Sequence, residues 1–471
     1  MLWTLLQNIG GQGISFITFI ILARLLTPEI FGLTGMLAIF IEMSMLLLNA
    51  GFSRALIQKK DADEEDFSSV FWINLGISLV IYWILFFSAP FIAKFYEQPI
   101  LIDLVRVLSL IFVINSFSLI QEARLTKAMK FKNLTIIKIP STILGGMVGV
   151  VLALLDFGVW SLIFMQLATS LGTAIQLWIY SKWKPLFVFN KTKVKELFSY
   201  GGKLMLSGLI NRLFVNAYLV VIGKYFPVSF VGYYNISSKL VRLPSQAITG
   251  ALNTVTFSAF SSIQDDAERL KINIRKVIQQ VLFWLCPIFT FAAVLAEPLF
   301  SFILTDKWLP AIPYFQLLCV IGVFYPLNIY SLNIINVKGR SDLSLKLVIA
   351  TKIFAAITIA GSLFIGIWAL IISQSMVAIF SYFMTGYFSG KLINYPLKEQ
   401  FNDIAPIFIM AFGIGGLIYF SNLFLMAYYD WLQLIIGFGL GGGLYLLIAK
   451  WRKLAPYSEF IVIINKRFHL K

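Results

Sequence analysis

Histidine occurs once in 471 residues, at position 469, and cysteine twice, at 286 and 319. A single histidine close to the C-terminus removes histidine-based catalysis, metal binding and proton relay from consideration. Both cysteines sit in apolar runs, so neither a disulfide framework nor a thiolate metal site is expected, and packing is their role. Charge is scarce as well, with Asp, Glu, Lys and Arg making up 13% of the chain. There is no Gly-x-x-x-x-Gly-Lys-Ser/Thr loop for nucleotide phosphates, no His-Glu-x-x-His and no Gly-x-Ser-x-Gly elbow. These absences argue against an enzyme and imply no cofactor and no metal. The chain begins Met1-Leu2-Trp3 without a basic leader or a small-residue cleavage site, so its first segment reads as a membrane helix and not a removable signal.

What is abundant is apolar surface: 59% hydrophobic residues and 16% aromatics. Runs of the roughly 20 residues that a helix needs to cross hydrocarbon follow one another from end to end. The short alternating segments of a β-barrel are absent. The expected fold class is therefore all-α and polytopic, with about 14 transmembrane helices. They are placed near 2–26, 33–57, 67–93, 99–123, 133–155, 157–181 and 200–223, then near 229–261, 275–304, 309–336, 343–363, 366–390, 402–423 and 427–450. Of the 38 Lys and Arg residues, Arg24, Lys94, Arg106, Lys224 and Lys307 fall at odd-numbered loops, and Arg212, Lys239 and Arg242 fall inside helices. The rest lie in even-numbered loops, in the stretches of helix that adjoin them and in the tail, which places those loops and both termini in the cytoplasm. The net charge of +16 thus reports topology and contact with anionic membrane lipids, not nucleic acid. Acidic runs at 61–66 and 265–268 read as solvated connectors.

The chain repeats itself. Gly158-Val159-Trp160-Ser161-Leu162-Ile163, closed by Gln166, returns 208 residues later as Gly366-Ile367-Trp368-Ala369-Leu370-Ile371, closed by Gln374. Ala89-Pro90-Phe91 and Glu297-Pro298-Leu299 keep that offset, while Leu22 to Leu26 with Gly32 matches Ile222 to Phe226 with Gly232 at an offset of 200. The motif falls on the sixth and twelfth helices, so one repeat is six helices. An even repeat enters the membrane in the same direction twice, the parallel arrangement of two-lobed transporters. The expected organisation is an N-lobe at 1–182, a basic cytoplasmic linker at 183–199, a C-lobe at 200–391, accessory helices at 392–450 and a basic tail at 451–471.

Ionised side chains inside membrane helices are costly and tend to face a cavity or a partner. Arg212, flanked by Asn211 and Asn216, lies in the seventh helix. Along the eighth, Asn235, Lys239, Arg242, Gln246, Thr249 and Asn253 follow at steps of four and three, which puts them on one face around Pro244. The offset of 200 pairs Arg212 with Gln12 and Arg242 with Glu42, and the second helix continues its own stripe with Asn49 and Ser53. Arg212, Lys239 and Arg242 against Glu42 leave a net charge of +2 in the expected central cavity. Two readings stand for Glu42: a coupling carboxylate, or the counter-ion of Arg212 or Arg242. Arg24, Lys224 and Arg54, at helix ends, are expected to snorkel or pair. Pro244 marks a kink for packing or a hinge.

The run Ile21-Leu22-Ala23-Arg24-Leu25-Leu26-Thr27-Pro28 with Phe31-Gly32, and then Ala55-Leu56-Ile57-Gln58-Lys59-Lys60-Asp61, resembles the N-terminal signature of bacterial polysaccharide transporters of the lipopolysaccharide, colanic acid and teichuronic acid type. These are members of the multidrug/oligosaccharidyl-lipid/polysaccharide superfamily. Gly158-Val159-Trp160, Gly232-Tyr233-Tyr234 and Lys307-Trp308-Leu309-Pro310 are similar too. The resemblance implies two six-helix lobes around a cavity, like those of multidrug exporters of that superfamily, plus two extra helices. It also implies movement of an undecaprenyl-diphosphate-linked oligosaccharide across the bacterial inner membrane for O-antigen or exopolysaccharide assembly, with other assembly proteins as partners. Tyr218 stands where similar sequences often carry an acid, and the short basic leader usual in them is missing, which leaves room for an incomplete N-terminus.

The combined expectation is a flippase in which Arg212, Lys239 and Arg242 bind the diphosphate. Asn235, Gln246, Asn211, Asn216 and Gln12 would hydrogen-bond sugar hydroxyls, and Glu42 would serve as counter-ion or coupling group. The rivals are a cation-coupled drug antiporter, which would favour an acidic pocket, and a membrane glycan polymerase or ligase, which would carry long outward loops.

Overall fold

A computed structural model describes residues 2–49, 51–459 and 461. Nine helices come first: α1 (Leu2–Leu25), α2 (Pro28–Asn49), α3 (Phe52–Gln58), α4 (Glu64–Tyr96), α5 (Leu101–Leu108), α6 (Leu110–Lys127), α7 (Phe131–Leu154), α8 (Val159–Ser181) and α9 (Lys191–Tyr225). Eight more follow: α10 (Val228–Ser262), α11 (Ala267–Val294), α12 (Ala296–Ile303), α13 (Ile312–Val337), α14 (Ser341–Leu363), α15 (Ile367–Leu392), α16 (Leu397–Leu425) and α17 (Asp430–Trp451). A 3-10 segment, Asp306–Ala311, leads into α13. His469 and most of the basic tail lie outside the described residues, as do Met1 and the side chains of Arg54 and Asn253.

Among the described residues, eleven helical stretches are long and apolar enough to cross a membrane, which makes this a multi-pass membrane protein. Each expected span falls on a helix, but several are divided. The second ends at Asn49 and not near 57, because Gly51 turns left-handed at φ 75° and a new helix, α3, starts after it. Asn49 caps that start, its Oδ1 accepting from the Ser53 backbone N–H at 3.4 Å. Asn49 and Ser53 therefore do not extend one stripe along a single helix. The fourth and ninth expected spans divide at Ser109 and Leu295.

Two compact units make up the chain, Met1–Gly232 and Tyr233–Lys471. In the first, α7 packs between α1 and α8, α8 lies on α6, and α9 lies along α2, α3 and α4. Close packing of α7 on α8 depends on small residues, since a Cβ at Gly145 would fall 1.8 Å from Thr169 Oγ1. In the second unit α13 packs on α11 and α15, and α11 carries α16, which carries α17. Arg275 of α11 pairs with Asp403 of α16, whose other oxygen accepts from Tyr395 Oη at 2.7 Å, and Lys271 pairs with Glu399 at 2.7 Å. Cys286 and Cys319 are buried and free.

The duplication has a physical trace. A Cβ at Gly32 would lie 2.1 Å from the carbonyl oxygen of Val228, and one at Gly232 would lie 2.0 Å from that of Pro28. These four residues are two pairs at the offset of 200, and each glycine receives the other pair's backbone. Gly158 and Gly366, which open the repeated motif, both take positive φ, 56° and 121°, just before a helix. That is why glycine recurs there.

The acidic run at 61–66, exposed at Asp61, Asp63 and Glu64, is more than a solvated connector. Asp63 and Asp66 form a reciprocal cap on α4, and Asp66 is fully buried against Lys59 Nζ at 2.9 Å. Residues of the linker dock on this start. Trp183 Nε1 donates to Glu64 at 2.6 Å, Lys193 Nζ reaches Asp63 at 2.6 Å and Glu65 at 2.7 Å, and the Leu186 and Asn190 amides donate to Ser68 and Ser69. The Lys193 ammonium, with help from the Asp66 backbone N–H, pulls the Asp63 carboxyl down to about 2.

Candidate substrate-binding residues

In the first unit the interior charges meet. Arg212 of α9 reaches Glu42 of α2, Nη1 to Oε2, at 3.1 Å. Asn216, one turn along α9, donates from Nδ2 to the same Oε2 at 2.9 Å and to the Arg212 carbonyl at 3.0 Å. The pairing follows from spacing, because residues four apart share one helix face. Asn216 is buried, which leaves its amide to fix the carboxylate, while the Arg212 side chain stays 41% exposed. Of the two sequence-based partners for Glu42, the structure pairs it with Arg212. Asn211 and Gln12 are exposed on α9 and α1.

In the second unit α10 runs as one helix through Pro244. Its packed face is set by Ser237, Val241 and Ser245, all buried. Ser245 Oγ donates to the Val241 carbonyl at 3.1 Å, and a Cβ at Gly322 of α13 would meet Val241 at 2.9 Å. Ser237 Oγ donates to the Ala311 carbonyl at 3.1 Å. With that face committed to packing, Lys239, Arg242 and Gln246 are turned to the exposed side, and Asn235 is half-buried. Thr249 departs from the expected stripe. It is 2% exposed, since it stands at the edge of the stripe nearest Val241 and Ser245. The side chain of Asn253 lies outside the described residues.

Sequence reasoning missed what the shared motifs do. Tyr234 Oη lies 3.0 Å from Oε1 of Gln374, the residue that closes the second repeat. Tyr233 meets Trp308 and Tyr314 at ring-centroid distances of 6.2 Å, and Tyr314 meets Trp368 at 5.1 Å. Gly232-Tyr233-Tyr234, Lys307-Trp308 and Gly366-Ile367-Trp368 thus include one aromatic cluster that holds α10, α13 and α15 together. The signal available was their shared aromatic and glycine content. Lys224, expected to snorkel or pair, binds Glu97 at 2.8 Å.

Chemically, this arrangement offers cations and amides on helices. The sequence profile described as "Polysaccharide biosynthesis protein" matches residues 21–313. Teichuronic acid biosynthesis protein TuaB of Bacillus subtilis (strain 168) is 26% identical over 425 residues, 88% of this chain and 86% of that protein. Succinoglycan biosynthesis transport protein ExoT of Rhizobium meliloti (strain 1021) is 29% identical over 329 residues, 70% of this chain and 67% of that one. Lipopolysaccharide biosynthesis protein WzxC of Escherichia coli (strain K12) is 25% identical and covers 93% of this chain and 86% of its own length. Among solved structures, the lipid II flippase MurJ in an inward closed conformation superposes with a TM-score of 0.77 at 14% identity, covering 95% of this chain and 99% of that one. An inward-facing multidrug exporter of the MATE family superposes at 0.62 with 17% identity, covering 80% of this chain and 94% of that one. At such identities these two likenesses concern the fold alone.

Proposed function

The chain belongs to the polysaccharide biosynthesis protein family, and from that premise we propose that it is a flippase for a diphosphate-linked polyprenyl oligosaccharide, not an enzyme. The cargo crosses the bacterial cytoplasmic membrane during surface polysaccharide assembly. Relatives named for teichuronic acid, succinoglycan and lipopolysaccharide synthesis support that cargo class.

The observation that carries the proposal is the charge of the polar groups on otherwise apolar helices. Arg212, Lys239 and Arg242 against Glu42 sum to +2, which attracts a diphosphate and repels an organic cation. In this reading Arg212 and Arg242 supply fork-shaped donors to phosphate oxygens, and Lys239 adds a point charge. Asn235, Gln246, Asn211 and Gln12 hydrogen-bond sugar hydroxyls; Asn216, expected to join them, is buried with its amide on Glu42, and Glu42 holds Arg212 until the diphosphate replaces it. The lobes at 1–182 and 200–391 exchange access by rocking, with Pro244 as the hinge of α10. The helices at 392–450 are accessory, the linker at 183–199 and both termini are cytoplasmic, and α1, α9 and α10 complete a set of 14 spans. Membrane lipids and other assembly proteins are the remaining partners.

Reconstitution with a labelled lipid-diphosphate oligosaccharide tests this. Transbilayer transfer should fall in Arg242→Ala and Arg212→Ala relative to wild type. Equal transfer by all three proteins removes the cationic-site reading.

A further inference from the structure

Outside the charged helices, the first unit carries a groove of about 530 Å³ between α6 and α8, lined by apolar side chains such as Phe117, Leu171, Ala174, Ile175, Trp178 and Ile179. That volume falls in the range of roughly 300–1,000 Å³ which holds a single ligand. Both helices are long and apolar enough to span a membrane, so the bilayer is a ready source of an apolar ligand for the groove. Leu171, Ile175 and Ile179 follow at steps of four, and Lys182, which caps α8 in a left-handed turn at φ 51°, stands at the end of the helix that carries the row. Lys182 and Lys184 are both exposed. The row therefore runs from apolar wall to exposed ammonium, the polarity of a lipid with its tail along the helix and its headgroup at the helix end.

The next residues extend this surface. Leu186 and Asn190 are pinned by Ser68 and Ser69, and Trp72 Nε1 donates to the Leu186 carbonyl at 2.8 Å. Between those pins Phe187 is 92% exposed, its ring stacked on Trp72 at 5.1 Å, and Val188 and Phe189 are exposed too. An ordered backbone that presents aromatic and aliphatic tips among lysines, directly after a spanning helix, has the pattern of a segment seated at the headgroup level.

We propose that the α6–α8 groove and the start of the linker form a binding site for one anionic phospholipid of the leaflet on the linker's side. One acyl chain lies along Leu171, Ile175 and Ile179, and the headgroup phosphate meets Lys182 and Lys184. The charge of the groove's end selects an anionic headgroup over a zwitterionic one. None of the lining residues comes from α2 or α9, which carry Glu42 and Arg212, so the site serves a structural lipid and not the tail of a substrate whose diphosphate is on Arg212.

Trp178 provides the readout, because its indole lies in the groove with Nε1 3.1 Å from the Phe117 carbonyl oxygen. Full-length protein is placed in nanodiscs containing phosphatidylglycerol or phosphatidylcholine brominated on the acyl chain, at equal mole fraction. The quenching lost on Trp178→Phe is the Trp178 component. Each lysine beside an anionic headgroup is worth roughly fivefold in preference, so brominated phosphatidylglycerol should quench that component at several-fold lower mole fraction than phosphatidylcholine. Lys182→Gln with Lys184→Gln, both on the exposed surface, should abolish the preference with the thermal transition unchanged. Ala174→Phe, which fills the groove, should abolish quenching by either lipid. Equal quenching by the two lipids in wild-type protein means ordinary annular contact and overturns the proposal. Displacement of phosphatidylglycerol by an unbrominated polyprenyl diphosphate overturns it in favour of a substrate-tail site. Transport is not measured, so failure here leaves the flippase reading standing.

Discussion

Glu42→Gln is the substitution on which the two roles of that carboxylate part company. Its Oε2 accepts from Arg212 Nη1 at 3.1 Å and from Asn216 Nδ2 at 2.9 Å. At that separation the gross Coulomb attraction is about 5 kcal/mol at an effective dielectric constant of ~20. The side chains remain 41% and 32% exposed. Solvent screening and the cost of ordering two long side chains reduce the net coupling to about 1 kcal/mol. A glutamine keeps the same shape, and its amide oxygen still accepts from Asn216, so the fold should tolerate the change. What it removes is the competitor for the Arg212 guanidinium.

If Glu42 is a counter-ion that the diphosphate displaces, Glu42→Gln should tighten binding by that ~1 kcal/mol, roughly fivefold. Arg212→Ala removes a charge-assisted hydrogen bond of about 1.5–3 kcal/mol and should weaken binding by roughly ten- to a hundredfold. The double variant should bind no worse than Arg212→Ala alone, because the two changes act through one contact. Titration of purified protein with a polyprenyl diphosphate at low salt measures all three. Weakening by Glu42→Gln to the degree of Arg212→Ala would refute the counter-ion argument and restore the coupling-group reading. So would an unchanged affinity combined with lost transport.

Other outcomes follow from the packing and the linker. Gly32→Ala and Gly232→Ala each drive a Cβ to about 2 Å from a backbone oxygen and should cost roughly 1–3 kcal/mol, read as a lowered thermal midpoint. Gly361→Ala, where nothing lies within 4 Å, should be neutral or stabilising by up to about 1 kcal/mol. A drop for Gly361→Ala equal to the other two would sink the close-approach argument. Asp403→Asn, at a 6% exposed site, leaves the 46% exposed Arg275 without its carboxylate and should destabilise by about 1.5–3 kcal/mol in a denaturation assay. A loss under 1 kcal/mol would show that α16 is held by packing alone. For Asp63 the folded carboxyl is depressed from 3.8 to about 2, so the linker contact is favoured above pH 4 and weakens as pH falls through 2. Pepsin cuts within 183–193 should therefore increase from pH 4 to pH 2, and should already be frequent at pH 4 in Lys193→Ala. Equal cutting of wild-type protein at both pH values contradicts the assignment.

The helices were readable because each is an apolar run of sufficient length, a property local to the sequence. Their breaks were less so. Gly51 ends α2 by a backbone turn, which an apolar pattern continuing through Phe52, Ala55 and Leu56 conceals. The acidic run at 61–66 is polar by composition, and only its partners, Lys59 from one side and Trp183 and Lys193 from more than a hundred residues away, show that it is a cap and a docking point. For the same reason helical periodicity put Thr249 on the stripe, whereas contact with the packed side of α10 buries it. Periodicity fixes which side chains share a face. The width of the face that packing consumes is a property of the neighbours.

The duplicated positions divide along a physical line. Gly32 and Gly232 repeat where a Cβ would collide with backbone, and Gly158 and Gly366 repeat where φ is positive. At these sites the backbone admits essentially one residue type, so both copies retain it. Side chains with room around them have taken different partners or changed identity. Gln166 donates to the carbonyl of Leu162 on its own helix at 3.3 Å, while Gln374, its repeat partner, binds Tyr234 of α10. Arg212 and Arg242, on partly or fully exposed faces of α9 and α10, correspond by the offset of 200 to Gln12 and Glu42 in the earlier copy. Steric constraint thus kept these backbone sites alike in both copies, and its absence let the copies diverge in charge.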